Sequence, residues 1–313
     1  MNKTKLVIII FLSFVFIAIC TYKIVCTVKN TTYQEIPFKM TKTGHIYIQK
    51  KIHGKNFNLL LDTGAECSVL NPSGIKKIFG SVGILYPIYM ADICMQFDTE
   101  YSYMWYMWHK KEARELISMY LAQGHLLAVR LDGNLYGLYL QNDKVLKSIQ
   151  KETNDTLHGI LGEEFFKKFK NVVFDYQQKK VLFNAENISE TGMPIYWTGQ
   201  IQSLPTIEFS INGVLQKGLI DTGSDGFSVY DGIESLVPEL KKTESDEFII
   251  PSLEIGAIPY NDKKANIHFN KHMIVNEKSR KRLQKEKLCC LGYPFFKDHV
   301  IQLDFEHNEF RIK

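Results

Sequence analysis

The sequence predicts a mainly β protein that consists of two duplicated lobes related by pseudo-two-fold symmetry. Two strand-like apolar runs end in Asp-Thr-Gly, at Asp62 and at Asp221, and the two acids lie 221 − 62 = 159 positions apart. Each copy later contains an apolar residue, a leucine and a glycine, at Gly162 and at Gly292, and then Phe-Phe-Lys. Each copy closes with two short apolar strands. Landmarks that recur in the same order indicate an internal repeat, and short alternating strands indicate a β fold with few helices.

Residues 1–29 are predicted to be an N-terminal signal anchor or signal peptide. Lysines precede an apolar run from Leu6 to Cys20, and with its flanks (residues 6–26) the segment has roughly the 20 residues that a bilayer requires. No small-x-small cleavage site ends the run, which favours an uncleaved anchor over a cleaved peptide. Because positive charges stay cytosolic, we expect a membrane-anchored protein whose globular part is extracytoplasmic (periplasmic, lumenal or at the cell surface), or a secreted protein if the segment is cleaved. The polar residues 30–44 are interpreted as a stalk.

Composition and charge restrict the functions that the chain can have. With 45% hydrophobic and 23% charged residues among 313, the chain is globular in character and has enough apolar material for a large core. A net charge of +4 without an arginine-rich stripe argues against nucleic acid as a partner. No set of cysteines and histidines has zinc spacing, so neither a metal nor a cofactor is expected.

Four cysteines follow the predicted membrane segment: Cys67, Cys94, Cys289 and Cys290. Outside the cytosol they allow three disulfide pairings. The adjacent Cys289 and Cys290 do not easily bond to each other, and the simpler interpretation is that these are small buried residues. Both possibilities stay open.

The first lobe is predicted at residues 45–183. Its opening hairpin places Asp62 at a strand end, because the alternating residues 45–49 and the apolar residues 57–61 flank a turn. An insertion at about 86–122 is rich in tyrosine and tryptophan, and it either packs on the core or forms a lid or substrate wall. Residues 184–203, which are polar and contain glycine and proline, are interpreted as a linker.

The second lobe is predicted at residues 204–313, with the same order of elements. In it, Ser228-Val229-Tyr230 is matched with Ser68-Val69-Leu70. The spacing from acid to glycine is 162 − 62 = 100 in the first copy and 292 − 221 = 71 in the second. The excess of 29 residues is about the length of the insertion, so the second copy is the plainer one.

The two acidic motifs together resemble those of the aspartic peptidase clan, in particular its retropepsin-like bacterial members and its two-lobed pepsin-like members. The resemblance covers about residues 45–313 without the insertion. It rests on Asp-Thr-Gly-Ala at 62–65 with Ile-Leu-Gly at 160–162, and on Asp-Thr-Gly-Ser at 221–224 with Cys-Leu-Gly at 290–292. It implies two retropepsin-like β-barrel lobes that form an intramolecular pseudo-dimer, so no obligate oligomer is expected.

The resemblance also implies roles for individual residues. It implies that the hydroxyl groups of Thr63 and Thr222 cross-link the two loops. Cys290 departs from the pattern, because a branched aliphatic residue is expected at this position.

The chemistry that two such acids perform follows from their repulsion. Two carboxylates roughly 3 Å apart do not both ionise, so they share one proton and titrate as a pair. The ionised member takes a proton from a water molecule, which attacks the peptide carbonyl, while the protonated member supports the developing oxyanion. Gly64 and Gly223 let the backbone approach closely enough for its amides to hold the carboxylates.

One difference between the two motifs predicts a difference in proton affinity. Ser224 has a hydroxyl that can donate to the neighbouring carboxylate, whereas Ala65 has none. Hydrogen bonds to the charged form lower a pKa, so the missing donor should raise the titration of the pair. We therefore expect a pH optimum less acidic than in enzymes with hydroxyls at both positions.

The sequence as a whole predicts an aspartic endopeptidase with a peptide or protein substrate. The alternative is a non-catalytic peptide-binding protein that keeps the cleft, and the intact acids, threonines and glycines argue against it. A membrane tether would favour a processing role on a membrane-proximal substrate over general digestion. The predicted catalytic residues are Asp62 and Asp221, and the predicted supporting residues are Thr63, Gly64, Ala65, Gly162, Thr222, Gly223, Ser224 and Gly292.

Overall fold

The structure is a computed structural model that describes residues 31–52, 55–66, 68–70, 127–131, 134–140, 144–198, 204–243, 247–267, 281 and 284–313. The predicted membrane segment, the predicted aromatic insertion, Cys67 and Cys94 lie outside the described residues. Within the described ranges, no helix combines the length and the apolar character needed to cross a membrane.

The protein is mainly β, as the sequence predicts. The strands of the first half are β1 (Gln34–Met40), β2 (Ile46–Ile52), β3 (Lys55–Leu61), β4 (Val69–Leu70), β5 (Leu127–Leu131), β6 (Asn134–Leu140), β7 (Gly159–Leu161), β8 (Asn171–Asp175) and β9 (Lys180–Phe183). Two short helices accompany them, α1 (Lys144–Gln150) and α2 (Glu163–Phe166).

The second half also consists mainly of strands, with few and short helices. Its strands are β10 (Met193–Pro194), β11 (Tyr196–Thr198), β12 (Leu204–Ile211), β13 (Val214–Ile220), β14 (Phe227–Val229), β15 (Lys241–Lys242), β16 (Glu247–Ile255), β17 (Ile258–Ile267), β18 (Leu288–Leu291), β19 (Val300–Asp304) and β20 (Glu309–Ile312). A 3₁₀ turn covers Ile233–Ser235, and helix α3 covers Tyr293–Phe296.

The described strands form two sheets. One has twelve strands in the order β10-β20-β19-β8-β9-β1-β2-β3-β7-β4-β6-β5, and the other has eight in the order β11-β12-β13-β18-β14-β17-β16-β15. In the second sheet β12 also pairs with β16, so six strands close into a barrel: β12, β13, β18, β14, β17 and β16. A closed barrel leaves no free edge among these six strands.

The two acids follow strands that are paired in the same way. Strand β3 runs parallel to β7, with Leu60 opposite Ile160. Strand β13 runs parallel to β18, with Leu219 opposite Cys290. Because each acid directly follows its strand, Asp62 and Asp221 occupy equivalent positions at the ends of two buried parallel strand pairs.

The register corrects one detail of the predicted repeat. Val69 lies opposite Ile160 in the pairing of β4 with β7, and Ser228 lies opposite Cys290 in the pairing of β14 with β18. Val69 therefore corresponds to Ser228, and the match of Ser68 with Ser228 is wrong by one residue. The corrected match of Val69 with Ser228 has the same spacing as the two acids, since 69 + 159 = 228. The serines at 68 and 228 are identical but do not occupy equivalent positions.

The two halves are joined by strands from both. Strand β8 pairs antiparallel with β19, with Phe174 opposite Ile301 and Val172 opposite Leu303. All four of these side chains are buried in a hydrophobic cluster that also contains phenylalanines from α2 and α3. The shared ladder and the shared core fix the position of one half relative to the other.

The predicted stalk at residues 30–44 is corrected by the structure. Residues 34–40 form strand β1, which pairs with both β2 and β9. Phe38 is only 4% exposed and packs in the core. The polar residues and Pro37 mask a strand alternation in the sequence, in which Ile36, Phe38 and Met40 share one face.

The predicted linker at residues 184–203 also contains ordered strands. Within it, β10 pairs with β20 and β11 pairs with β12. The segment therefore adds strands to both sheets.

Candidate active site

The two predicted catalytic acids lie in equivalent turns. The backbone N–H of Asp62 donates to the carbonyl of Leu161, and that of Asp221 donates to the carbonyl of Leu291, both at 3.0 Å. Each turn is closed by a backbone bond from the residue three positions on, at 3.3 Å from Ala65 and at 3.2 Å from Ser224. The strand pairs described above thus hold both acids at strand ends.

The carboxyl groups of Asp62 and Asp221 lie within hydrogen-bonding reach of each other. The N–H of Gly64 donates to Oδ1 of Asp62 at 2.9 Å, and the N–H of Gly223 donates to Oδ1 of Asp221 at 2.8 Å. Each of the two acidic residues is partly exposed as a whole, while its carboxyl group is buried deeply enough for burial to be the largest cause of its raised pKa.

Each glycine packs against the acid of the other half. A Cβ on Gly64 would lie 2.4 Å from Cγ of Asp221, and a Cβ on Gly223 would lie 2.3 Å from Cγ of Asp62. No side chain fits at such a distance. The glycines are therefore required because the opposite carboxyl group occupies the space that a methyl group would fill.

The two threonines cross-link the loops as predicted. The N–H of Thr63 donates to the hydroxyl of Thr222, and the N–H of Thr222 donates to the hydroxyl of Thr63, both at 3.1 Å. The hydroxyl of Thr63 then donates to the carbonyl of Ile220 at 2.8 Å, and that of Thr222 donates to the carbonyl of Leu61 at 2.9 Å. Four buried bonds thus connect the two halves directly beneath the acids.

The surroundings raise the pKa of both acids above the ordinary value of 3.8. For Asp62 the causes of the raised pKa are burial and then the charge of Asp221, which outweigh the backbone amides. For Asp221 burial raises the pKa, while hydrogen bonds from Asp62, the Gly223 amide and Cys290 oppose it. The pair therefore favours sharing one proton over ionising both members.

The prediction that Ser224 donates to the carboxylate is wrong for this structure. Its hydroxyl donates to the carbonyl of Gly226 at 3.3 Å. The thiol of Cys290 contacts the carboxylate of Asp221, with Sγ 3.5 Å from Oδ2. The serine turns toward Gly226 because a nearby backbone carbonyl offers its hydroxyl an acceptor within its own turn.

Gly162 and Gly292, which each follow a leucine, lie next to the acidic turns. The residue after Gly162, Glu163, donates its N–H to the carbonyl of Ala65 at 2.8 Å, and the residue after Gly292, Tyr293, donates to the carbonyl of Ser224 at 2.9 Å. A Cβ on Gly292 would lie 2.5 Å from that serine carbonyl. These close contacts brace each acidic turn from behind.

Sequence reasoning missed several residues near the site. Ser68 accepts a hydrogen bond from the N–H of Gly162 at 2.9 Å. The buried His45, which directly precedes β2, lies close enough to Asp221 to oppose the rise in the pKa of that acid. The hydroxyl of Tyr176 is buried near Asp221 and has no hydrogen-bond partner in the described part of the chain. Only the three-dimensional fold brings these positions together, since neither histidine nor tyrosine belongs to a local motif.

The structure describes two of the four cysteines that follow the predicted membrane segment. Cys289 and Cys290 are both buried and free. Among the described residues, no group of three or more His, Cys, Asp and Glu side chains is placed to hold a metal ion.

Comparison of the chain with protein-family models and with curated protein sequences gave no match.

Proposed function

We propose that this protein is an aspartic endopeptidase that hydrolyses peptide bonds with a water molecule activated between Asp62 and Asp221. The observation that carries the proposal is the meeting of two Asp-Thr-Gly turns, each with its carboxyl group against the glycine of the other. A turn that served only to end a strand would not need this crossed arrangement. We further propose that the halves are duplicated retropepsin-like β-barrel lobes related by pseudo-two-fold symmetry, on the basis of their equivalent pairings.

The mechanism divides between the two members of the pair. One carboxylate is ionised and takes a proton from water, and the water oxygen attacks the carbonyl carbon of the substrate. The protonated member donates to the carbonyl oxygen as it gains negative charge. The acid that took the proton from water then passes it to the amine nitrogen as the C–N bond breaks, and the other acid takes back its proton from the hydroxyl group of the collapsing intermediate, so the pair returns to its singly protonated state. This chemistry requires neither a covalent intermediate nor a metal ion.

The threonine cross-link and the glycine amides serve the reaction by holding the geometry. The amides of Gly64 and Gly223 each bind Oδ1 of one acid, and in this proposal these bonds hold the two carboxyl groups in place around the water molecule. Positions that are fixed before the substrate binds need no reorganisation during the reaction.

The substrate in this proposal is an extended peptide or a protein segment. If residues 6–26 anchor the protein, the globular part acts outside the cytoplasm on membrane-proximal or extracytoplasmic proteins.

The test uses the full chain, purified in detergent, with a mixed peptide library over a broad pH range. We expect cleavage that pepstatin inhibits and that Asp62→Asn and Asp221→Asn each abolish. Cleavage that survives either substitution would refute the shared-proton mechanism. Specific binding of peptides by the wild-type chain without cleavage at any pH would instead support the non-catalytic alternative.

A further inference from the structure

Cys290 occupies a position from which it acts on one acid of the pair. It lies in β18, between Leu219 of β13 on one side and Ser228 of β14 on the other. The side chain is buried, and Sγ lies 3.5 Å from Oδ2 of Asp221. Sulfur hydrogen bonds are longer than those of oxygen, so this separation places the S–H group in donor range of the carboxylate.

The equivalent position in the first half has no donor. Ile160 stands opposite Leu60 as Cys290 stands opposite Leu219. An isoleucine side chain offers Asp62 no hydrogen bond, so the two acids differ in the side chain behind them. The glycine amide and the partner carboxyl group are present in both halves, whereas the Ala65 amide acts on Asp62 alone and His45 lies near Asp221.

We propose that Cys290 is a positioning residue that donates its S–H group to Asp221 and so makes Asp221 the ionised member of the pair and Asp62 the member that carries the proton. The proposal rests on the proposed function for its consequence in catalysis. A hydrogen bond to the charged form of a carboxyl group favours that form. Asp221 is then the general base, and Asp62 is the acid that faces the substrate carbonyl.

The thiol is suited to this role because it stays protonated. Burial and the negative charge of Asp221 raise the pKa of Cys290 well above its ordinary value, against a smaller opposing effect of a hydrogen bond with Ser224. The titratable groups that face Asp221 are Asp62, Cys290, His45 and Tyr176. Of these, Cys290 belongs to the second half and donates to Asp221 from a side chain, and the position that matches it in the first half is the apolar Ile160.

A small buried cysteine is often only a space-filling residue. The neighbouring Cys289 provides an internal comparison, because it lies in the same strand, is equally buried and is free. Its thiol contacts the backbone of Tyr230. Replacing either cysteine removes a similar volume, but only one replacement removes a donor from Asp221.

The first measurement is the pH dependence of kcat/KM for peptide cleavage by the full chain. In Cys290→Ala we expect the acid limb to move to higher pH by about 0.5 unit, because the ionised pair loses a donor. Cys290→Ser keeps a donor, so its acid limb should stay at or below that of the wild type. The matched control Cys289→Ala should leave the acid limb in place.

The second measurement does not depend on catalysis. The unfolding temperature of each variant is followed from about pH 4 to pH 7, alone and combined with Asp221→Asn. Cys290→Ala should make the unfolding temperature fall more steeply as the pH rises, since the folded-state pKa of Asp221 increases further. In the Asp221→Asn background, Cys290→Ala should leave the steepness of the pH dependence unchanged.

Failure of the proposed function and failure of this inference are distinguishable. A wild-type chain that cleaves no peptide refutes the function, and the unfolding measurements still decide whether Cys290 acts on Asp221. The inference is overturned if Cys290→Ala and Cys289→Ala have the same pH dependence of unfolding, or if the steeper dependence persists in the Asp221→Asn background.

Discussion

Thr63 and Thr222 bind each other reciprocally, with the backbone N–H of each donating to the hydroxyl of the other at 3.1 Å. Each hydroxyl therefore accepts from an N–H of the opposite half and donates to a carbonyl of that opposite half. Thr63 donates to Ile220, and Thr222 donates to Leu61. Because both threonines are buried, water does not replace a bond that is lost. The position of each acid thus depends on a residue of the opposite half.

The first prediction concerns this cross-link. Thr63→Val keeps the side-chain shape but leaves the N–H of Thr222 and the carbonyl of Ile220 without their partner. We expect the free energy of unfolding to fall by about 2–4 kcal/mol, since two buried polar groups lose a hydrogen bond. Denaturant unfolding measures this change.

The control for the cross-link is Thr63→Ser, which retains the hydroxyl. It should cost clearly less than Thr63→Val, and a double variant with Thr222→Val should cost less than the sum of the single valine variants, because the bonds are shared. Equal losses for the serine and valine variants would show that the methyl group, and not the hydroxyl, matters at this position.

The second prediction concerns the crossed glycines. A methyl group added by Gly64→Ala would meet the carboxyl group of Asp221 at 2.4 Å, and one added by Gly223→Ala would meet that of Asp62 at 2.3 Å. Each variant has to displace the opposite acid, and we expect kcat/KM to fall by about a hundredfold or more, as misplacement of reacting groups by about 1 Å does.

Gly226 is the matched control in the same turn. A Cβ at this position meets no atom within 4 Å, so Gly226→Ala should keep most of the activity. If Gly226→Ala and Gly223→Ala reduced kcat/KM equally, a general need for flexibility in the turn would explain the loss better than contact with Asp62.

The third prediction concerns pH. Because burial raises the pKa of both acids above 3.8, the stability that they contribute is present below that value and is lost as the pH rises through their folded-state pKa values. The double variant Asp62→Asn, Asp221→Asn should thus be more stable than the wild type at neutral pH, with a flatter dependence of unfolding temperature on pH.

The same raised pKa values favour a pH optimum for cleavage that is not strongly acidic. The ionised member of the pair forms only once the pH approaches its raised pKa, so kcat/KM should rise with pH above the ordinary titration range of aspartate. A pH–rate profile that peaks below about pH 3 would contradict this expectation.

The two acidic turns of the site were predictable from sequence because short motifs determine them. An apolar strand followed by Asp-Thr-Gly indicates that the acid lies at a strand end and that the backbone of the glycine approaches a carboxyl group closely. Gly64 and Gly223 were therefore predictable. The cross-link between Thr63 and Thr222 required only the further expectation that the two copies meet.

The remaining features depend on contacts that no local pattern encodes. Phe38 belongs to a strand whose apolar residues alternate with Pro37 and charged residues on the opposite face, so its burial became evident only from the pairing of β1 with β2 and β9. The hydroxyl of Ser224 donates to the carbonyl of Gly226, and this choice depends on the turn geometry, which the short motif does not encode. The approach of Cys290 to Asp221 depends on the register of β18 against β13.

The fourth prediction concerns the ion pair between Asp304 and Arg311 in the β19–β20 hairpin. Nη1 of Arg311 donates to Oδ2 of Asp304 at 3.1 Å, and the two side chains are 4% and 2% exposed. The Nε of Arg311 is buried without a hydrogen-bond partner among the described residues, so the guanidinium depends strongly on its carboxylates. Removing one partner of a buried pair leaves an uncompensated charge, and Asp304→Ala should cost about 3–5 kcal/mol of stability.

Glu309 provides the control for this pair, because it also binds Arg311 but is far more exposed, at 35%. Glu309→Gln should cost less than about 1 kcal/mol, since solvent screens an exposed charge. Equal losses in the two variants would contradict the importance of burial.

The pH dependence of the Asp304→Ala loss follows from the pKa of this acid. Burial alone would raise the pKa of Asp304, but hydrogen bonds from His307 and Arg311 outweigh it and lower the pKa below 3.8. Its contribution is therefore complete at neutral pH and is lost as the pH falls below 3.8 through the folded-state pKa. Denaturant unfolding at successive pH values should show the stability difference between wild type and Asp304→Ala shrinking on acidification in this range, and a difference that instead grew would reverse the assigned sign.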